Sequence, residues 1–119
     1  VEGDRTLYVA LKERGVNERR AVQLQNLFLH CGYEGFGLNC ATGADLCIAT
    51  TDVSIERLPQ LAEEVRQHGA TLCIMNPYAN EQRRNCCRRL AAEHPSTSID
   101  NRGYLLLFNG PLPKQHFKL

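Results

Sequence analysis

Two different hydrophobic patterns open the chain. Thr6–Leu11 is an unbroken run of apolar and β-favouring residues, which predicts a first strand. From Asn17 to His30, apolar residues recur at the three- and four-residue spacing of a helix. Asn17 is a favourable N-cap, and Gly32 suits the position just after a helix. The first third of the chain is therefore expected to form a strand followed by a helix.

The middle of the chain carries two apolar runs that are typical of buried strands, Asp45–Thr50 and Thr71–Met75. A weaker pattern predicts a short strand at Gly35–Cys40. A helix is expected between the two buried strands, with two alternatives for its start. Ser54 could cap it, which would leave Pro59 in its interior, or it begins later with Pro59 in its first turn, where proline is tolerated.

The last third predicts one more helix and one more strand. Asn80 can cap a helix that runs to about His94, where a proline stops it. Ser96–Arg102 is polar and predicts a loop, and the apolar run Gly103–Phe108 predicts the last strand. Leu112–Leu119 has the pattern of a helix just beginning.

Strands that alternate with helices indicate an α/β fold with a doubly wound, mostly parallel five-stranded sheet. The 119 residues fit a single domain over 1–119. Because the chain opens on Val1 and closes on the start of a helix, we expect a domain excised from a longer protein. Its apolar runs are too short to span a bilayer, and because no charged-then-apolar leader is visible we expect no signal peptide within these residues.

The composition argues against several kinds of ligand and cofactor site in this chain. A net charge of +1 provides no global field toward nucleic acid or an acidic membrane surface. The six cysteines include no CxxC pair and fit no zinc-finger spacing, so reduced thiols in a reducing compartment are favoured over zinc. The glycines form neither GxGxxG nor GxxxxGK[ST]. We therefore expect no metal and no cofactor.

Polar residues follow the predicted strands, where ligands bind in open parallel sheets. They are Lys12, Glu13, Thr50, Thr51, Asp52, Asn76, Pro77, Asn109 and Gly110. One Lys, one Glu and one Asp could form a site there. The rim of any such sheet is also polar simply because it faces water, and this second interpretation is favoured.

Four arginines crowd the helix after Asn80: Arg83, Arg84, Arg88 and Arg89. They could form an RNA or phosphate surface, but no aromatic residues alternate with them. A solvated helix face is favoured, with protein docking as its expected use.

Several segments together resemble a response-regulator receiver domain: VEGDRTLYVAL at the start, GADLCIATTD, TLCIMNPYAN, and GYLLLFNGPLP near the end. The resemblance spans nearly the whole chain and implies a flavodoxin-like sheet. Only about a dozen residues separate Gly32 from Asp45, so the second helix of that fold is lost or replaced by a loop. This pattern is similar to the degenerate receivers of GacS/BarA-like or RcsC-like hybrid sensor histidine kinases.

At the positions that match the functional residues of a receiver, this sequence has different side chains. The family has an acidic pair after the first strand, a phosphoacceptor Asp after the central strand, a switch Ser or Thr, and a Lys before a Pro. The matching residues are Lys12 and Glu13, Thr50 with Asp52 two residues further on, Asn76, and Gly110. Phosphoryl transfer needs a cation and a lysine to offset charge, so these are interpreted as vestigial positions.

The resemblance implies a non-catalytic regulatory module of two-component signalling, in the cytoplasm or in the cytoplasmic part of an inner-membrane kinase. Its partners would be other domains of the same kinase or a signalling protein, with no contact to nucleic acid or membrane. Two alternatives remain open. One is a small nucleoside-deoxyribosyltransferase-like or TIR-like enzyme, with Asp52, Glu63 and Glu64 as its acids. The other is a stand-alone regulator that acts without phosphorylation.

Overall fold

The computed structural model describes residues 6–40, 44–109 and 113–118, and the chain divides into two compact units, Val1–Glu34 and Gly35–Leu119. The first unit contains α1 (Thr6–Glu13) and α2 (Glu18–His30), which contact each other. The second contains a six-stranded sheet with two helices. Within the described ranges, none of the helices combines the length and apolar character that a membrane crossing requires.

The first segment is a helix, so the predicted strand at Thr6–Leu11 is wrong. Leu7 and Leu11 are buried while Val9, midway between them, is 49% exposed. Residues four apart share a helix face, whereas in a strand all three side chains would lie on one side. A six-residue apolar run is compatible with both periods, and here the helical stripe is the one that is buried.

The second helix follows its sequence signals. Asn17 is the N-cap of α2, and its side-chain oxygen accepts a hydrogen bond from the Arg20 amide at 2.8 Å. Gly32 has a φ of +71° just after the helix, a left-handed conformation that favours glycine. Local chemistry therefore determines both ends of α2.

The second unit alternates strands and helices before it ends in three strands. Its elements are β1 (Phe36–Leu38), β2 (Leu46–Ala49), α3 (Arg57–Gln67), β3 (Thr71–Met75), α4 (Glu81–Glu93), β4 (Thr97–Asp100), β5 (Tyr104–Leu107) and β6 (Gln115–Lys118). The α/β class is therefore confirmed. The start of α3 places Pro59 in its first turn, and the Ser54 hydroxyl accepts from the Arg57 amide at 3.2 Å.

The sheet is mixed, with strand order β1-β2-β3-β5-β4-β6, and the expected five-stranded, mostly parallel flavodoxin-like sheet is not what forms. β1, β2 and β3 are parallel, but β5 runs antiparallel to both β3 and β4. Only three residues, 101–103, join β4 to β5, with Arg102 at a φ of +66°. Parallel neighbours need a crossover of a dozen or more residues, so this short connection forces a hairpin.

Two further sequence predictions fail at the same end of the sheet. β4 lies inside the polar segment Ser96–Arg102 that predicted a loop, and β6 lies where Leu112–Leu119 predicted a helix. β4 is polar yet half-buried because its polar side chains have partners: Ser98 Oγ is 2.7 Å from His116 Nδ1 of β6, and Asp100 accepts from the Arg102 amide at 2.8 Å. Polar groups that are hydrogen-bonded in this way can be buried in a strand without a large loss of stability.

The core of this unit lies between the sheet and its helices. Buried residues of α3, namely Leu58, Leu61 and Val65, belong to one apolar cluster with side chains of β2, β3 and β5. Cys87 of α4 belongs to the same cluster. This packing holds the carboxyl ends of β2 and β3 and the start of α4 in place around the candidate site.

Candidate functional site

The carboxyl ends of β2 and β3 meet at one edge of the sheet because the two strands are parallel. Thr50 follows β2 and is buried; its amide donates to the side chain of Asn39 at 2.7 Å, and its hydroxyl accepts from the same side chain at 3.0 Å. Asn76 follows β3 and donates a hydrogen bond from its side chain to the Thr51 hydroxyl. These polar groups of the rim are therefore engaged with one another.

A buried arginine fills the space between the two strand ends. Arg83 of α4 is only 3% exposed. Its guanidinium donates hydrogen bonds of 2.7–3.3 Å to the main-chain carbonyls of Thr50, Val53, Met75 and Asn76. Burial lowers the pKa of Arg83 from its ordinary value, because removal from water disfavours the charged form. The guanidinium supplies donors to these carbonyls, two of which, those of Thr50 and Asn76, also accept from the amides of Val53 and Ala79.

Burial removes Arg83 from the predicted docking face. The other three arginines of α4, Arg84, Arg88 and Arg89, are exposed. In the part of the chain that the structure describes, none of these three has a carboxylate within 4.0 Å. The structure therefore divides the arginine cluster into one structural residue and three free surface cations.

The structure assembles only part of the predicted strand-end site. Thr50, Asp52 and Asn76 lie at the same edge of the sheet, with Asp52 exposed. Lys12 and Glu13 end a helix of the first unit and do not follow a strand, and Lys12 Nζ lies 3.6 Å from Glu18 Oε1. The interpretation of that pair as residues after a first strand is therefore wrong.

The last predicted rim residue, Gly110, lies outside the described residues. Its neighbour Asn109 donates from its side chain to the Ala70 carbonyl at 2.6 Å, just before β3 begins. Because β5 runs antiparallel to β3, the end of β5 lies at the opposite edge of the sheet from Asn76. The expectation that Asn109 lies beside the ends of β2 and β3 is therefore wrong.

Two of the three acids proposed for an enzyme, Glu63 and Glu64, form ion pairs on the surface of α3. Glu63 Oε2 lies 2.6 Å from Arg66 Nη2, and Glu64 Oε1 lies 3.0 Å from Arg57 Nη2. The hydrogen bonds from these arginines lower the pKa of both carboxyl groups. A general acid at neutral pH needs its pKa raised instead, so neither glutamate has the electrostatics of that role.

A second concave site lies between α4 and the strands β4, β5 and β6. The sequence indicated Arg84 and Arg88 as part of a docking face but gave no signal for a cleft beside them. It is a cleft of about 70 Å³. Its polar lining consists of Tyr78, Arg84, Arg88, Asp100, His116 and Lys118. The Tyr78 hydroxyl donates to Asp100 Oδ2, and this hydrogen bond raises the pKa of the phenol. We call this site the α4 cleft.

The α4 cleft adjoins a serine–histidine pair that lacks the access a nucleophile needs. Ser98 and His116 are cross-strand partners in β4 and β6, and the histidine is exposed. The serine, however, is only 1% exposed. A nucleophile must come within bonding distance of its substrate, so a hydroxyl buried in the sheet is a structural partner of His116 rather than an attacking group.

The described residues contain no group of three or more His, Cys, Asp or Glu side chains that could hold a metal ion. Two cysteines, Cys31 and Cys40, are exposed, and Cys47, Cys73 and Cys87 are buried. Burial raises the pKa of Cys47 and of Cys87 to about 12, because a thiolate is disfavoured away from water.

Alkylation of the native protein with iodoacetamide at pH 8 should therefore separate the thiols into two classes. Cys31 and Cys40 should react quickly, while Cys47 and Cys87 should be protected at least about a hundredfold, since the thiolate is the reactive form. Peptide mass spectrometry over a time course measures each rate, and the urea-unfolded chain, in which all should react at similar rates, is the control. Equal native rates for Cys87 and Cys40 would contradict the burial of Cys87.

Comparisons with family models, with curated proteins and with solved structures found no match to this chain.

Proposed function

We propose that this chain is a non-catalytic docking module that acts through its exposed arginine face, in the two-component setting that the receiver resemblance suggests. The observation that carries the proposal is the position of Arg83. Its guanidinium occupies the ends of β2 and β3, the place where a ligand of a parallel sheet would enter. A fixed positive charge there opposes a divalent cation, which phosphoryl transfer to an aspartate requires.

The docking part of the proposal rests on the three surface cations. Arg84, Arg88 and Arg89 lie within six residues of one helix, and the like charges of Arg84 and Arg88, four residues apart, destabilise it by a few tenths of a kcal/mol. A partner with acidic side chains would remove that repulsion on binding. Charges of this kind mainly raise the association rate and make it sensitive to salt.

Charge reversal tests the proposal. In the organism that carries this chain, the double variant Arg84→Glu/Arg88→Glu should reproduce the transcript profile of a deletion of the segment that encodes residues 35–119. Asp52→Ala should leave the profile close to wild type, because the strand-end rim has no catalytic role. Circular dichroism of both purified variants should show unchanged helix content, since all three positions are exposed.

Two results would contradict this function. One is loss of output in Asp52→Ala while the double arginine variant behaves as wild type. The other is a gain of one acid-labile phosphoryl group on Asp52 after incubation with acetyl phosphate and Mg²⁺, measured as a mass increase of the intact protein.

A further inference from the structure

The α4 cleft is small and strongly cationic. Its volume of about 70 Å³ is well below the roughly 300–1,000 Å³ of pockets that enclose whole small molecules. It exceeds the roughly 10–15 Å³ that one water needs. The cleft therefore has room for the end group of a larger ligand, but not for a free metabolite of ordinary size.

The charges that line the cleft specify what that end group is. Arg84 and Arg88 lie one helical turn apart on α4, and Lys118 faces them from β6. Asp100 supplies the one carboxylate of the lining, so the two arginines and the lysine leave a surplus of two positive charges over it. A phosphate monoester carries about −1.5 to −2 charges at pH 7 and matches that surplus, whereas a carboxylate neutralises half of it.

The hydrogen-bonding capacity of Asp100 supports the same conclusion. Asp100 is 8% exposed, and it accepts from the Tyr78 hydroxyl and from the Arg102 amide at 2.8 Å. These donors hold the carboxylate in place and offset part of its charge, while no carboxylate lies within 4.0 Å of Arg84, Arg88 or Lys118 in the described chain. The donors of the two guanidinium groups and the ammonium group thus remain available for an oxyanion, and Arg is well suited to bidentate contacts with phosphate.

We propose that the α4 cleft binds a phosphorylated side chain of a protein partner, with Arg84, Arg88 and Lys118 as its phosphate ligands. This inference rests on the proposed docking function and names the chemistry that the docking face recognises. The phosphoryl group stays on the partner, and no bond forms or breaks. Tyr78, whose side chain is 41% exposed, forms one wall of the cleft beside that group.

The test uses three matched peptides of sequence Gly-Gly-X-Gly-Gly, blocked at both ends, with phosphoserine, glutamate or serine at X. Isothermal titration calorimetry at low ionic strength should show the phosphoserine peptide binding at least about tenfold tighter than the glutamate peptide. A tenfold difference in affinity corresponds to the free energy of about one charge-assisted hydrogen bond. The serine peptide should show no measurable binding. NMR shifts caused by the phosphopeptide should centre on Arg84, Arg88 and Lys118.

Neutral variants locate the binding in the cleft. Arg88→Gln/Lys118→Gln should weaken phosphopeptide binding at least about tenfold. The matched control is Arg89→Gln, which removes a charge from the same helix outside the cleft lining and should change the affinity less than about twofold. An equal loss in Arg89→Gln and in the double variant would overturn the cleft as the site.

The results also separate this inference from the docking function. If the phosphoserine and glutamate peptides bind equally, or neither binds, while Arg84→Glu/Arg88→Glu still abolishes output in cells, the phosphate site is overturned and the docking function stands. If the phosphopeptide binds selectively in the cleft but the charge reversal leaves output unchanged, the phosphate site is supported and the docking function fails.

Discussion

Replacing Arg83 by methionine should lower the free energy of unfolding by about 3–5 kcal/mol, because each hydrogen bond to a charged group contributes about 1.5–3 kcal/mol and several are lost together. The change deletes every hydrogen bond that the guanidinium makes to the carbonyls of Thr50, Val53, Met75 and Asn76. The carbonyls of Thr50 and Asn76 keep the amides of Val53 and Ala79 as donors, whereas a buried acceptor left without a partner costs about 1–3 kcal/mol. Methionine replaces the aliphatic part of the arginine side chain but has no hydrogen-bond donors. Urea unfolding followed by circular dichroism measures the loss.

The neighbouring Arg84 provides the matched control. Arg84→Met makes the same substitution one residue further along α4 at an exposed position, and it should change the free energy of unfolding by no more than about 0.5 kcal/mol. Arg83→Lys should be intermediate, because one ammonium cannot reach the carbonyls on which the planar fork of arginine converges. Similar losses in Arg83→Met and Arg84→Met would show that the carbonyl network contributes nothing.

Truncation of Leu61 should produce the second large effect, a loss of about 2–5 kcal/mol in Leu61→Ala. Leu61 is fully buried on α3, in the apolar cluster that includes Leu72 and Ile74 of β3 and Leu105 of β5. Alanine is the strongest helix former, so the helix itself is not weakened by the change. The loss therefore reports the packing of α3 on the sheet, and chemical unfolding of the purified variant measures it.

The control for this change is Gln60→Ala, which alters the preceding, exposed residue of the same helix. Its effect should stay within about 0.5 kcal/mol, since no buried contact is lost. If Leu61→Ala were as mild as Gln60→Ala, α3 would not be packed on the sheet through Leu61.

The buried Arg83 and the exposed Arg84 and Arg88 of α4 have different roles, the first in stability and the others in the proposed binding. At the amino-terminal end of α4, Arg83 turns inward and donates to the main-chain carbonyls of Thr50, Val53 and Met75. Arg84 and Arg88 project to the other side, toward the α4 cleft. A buried charge is retained only where donors and acceptors match, whereas an exposed one costs little and remains free to bind. This division is why the proposed activity is placed in the cleft and not at the strand ends.

Local sequence chemistry determined much of the fold. Asn17 and Asn80 are the N-caps of α2 and α4, and their side chains accept from the Arg20 and Arg83 amides at 2.8 Å each. The apolar runs at 45–50 and 71–75 became the buried strands β2 and β3. Each of these signals is contained within a few residues, so no distant partner is needed to interpret it.

The tertiary structure decided the elements whose local signals were ambiguous. Thr6–Leu11 fits either period, and which of its residues is buried depends on packing that lies outside the segment. β4 is too polar to be recognised as a strand until Ser98 and Asp100 find partners in His116 and Tyr78. The direction of β5, and with it the mixed sheet, follows from a three-residue connection that can only form once β4 exists.

The arginines of α4 likewise could not be assigned to the interior or to the surface from the sequence. By itself the sequence determined that four arginines share one helix with little acidic compensation. It could not distinguish Arg83 from Arg84, because the two are chemically identical neighbours. Only the tertiary structure decided this, because it places the carboxyl ends of β2 and β3 beside the guanidinium of Arg83 and the α4 cleft beside that of Arg84. The burial of a charge depends on which acceptors surround it, and those acceptors come from residues far away in the sequence.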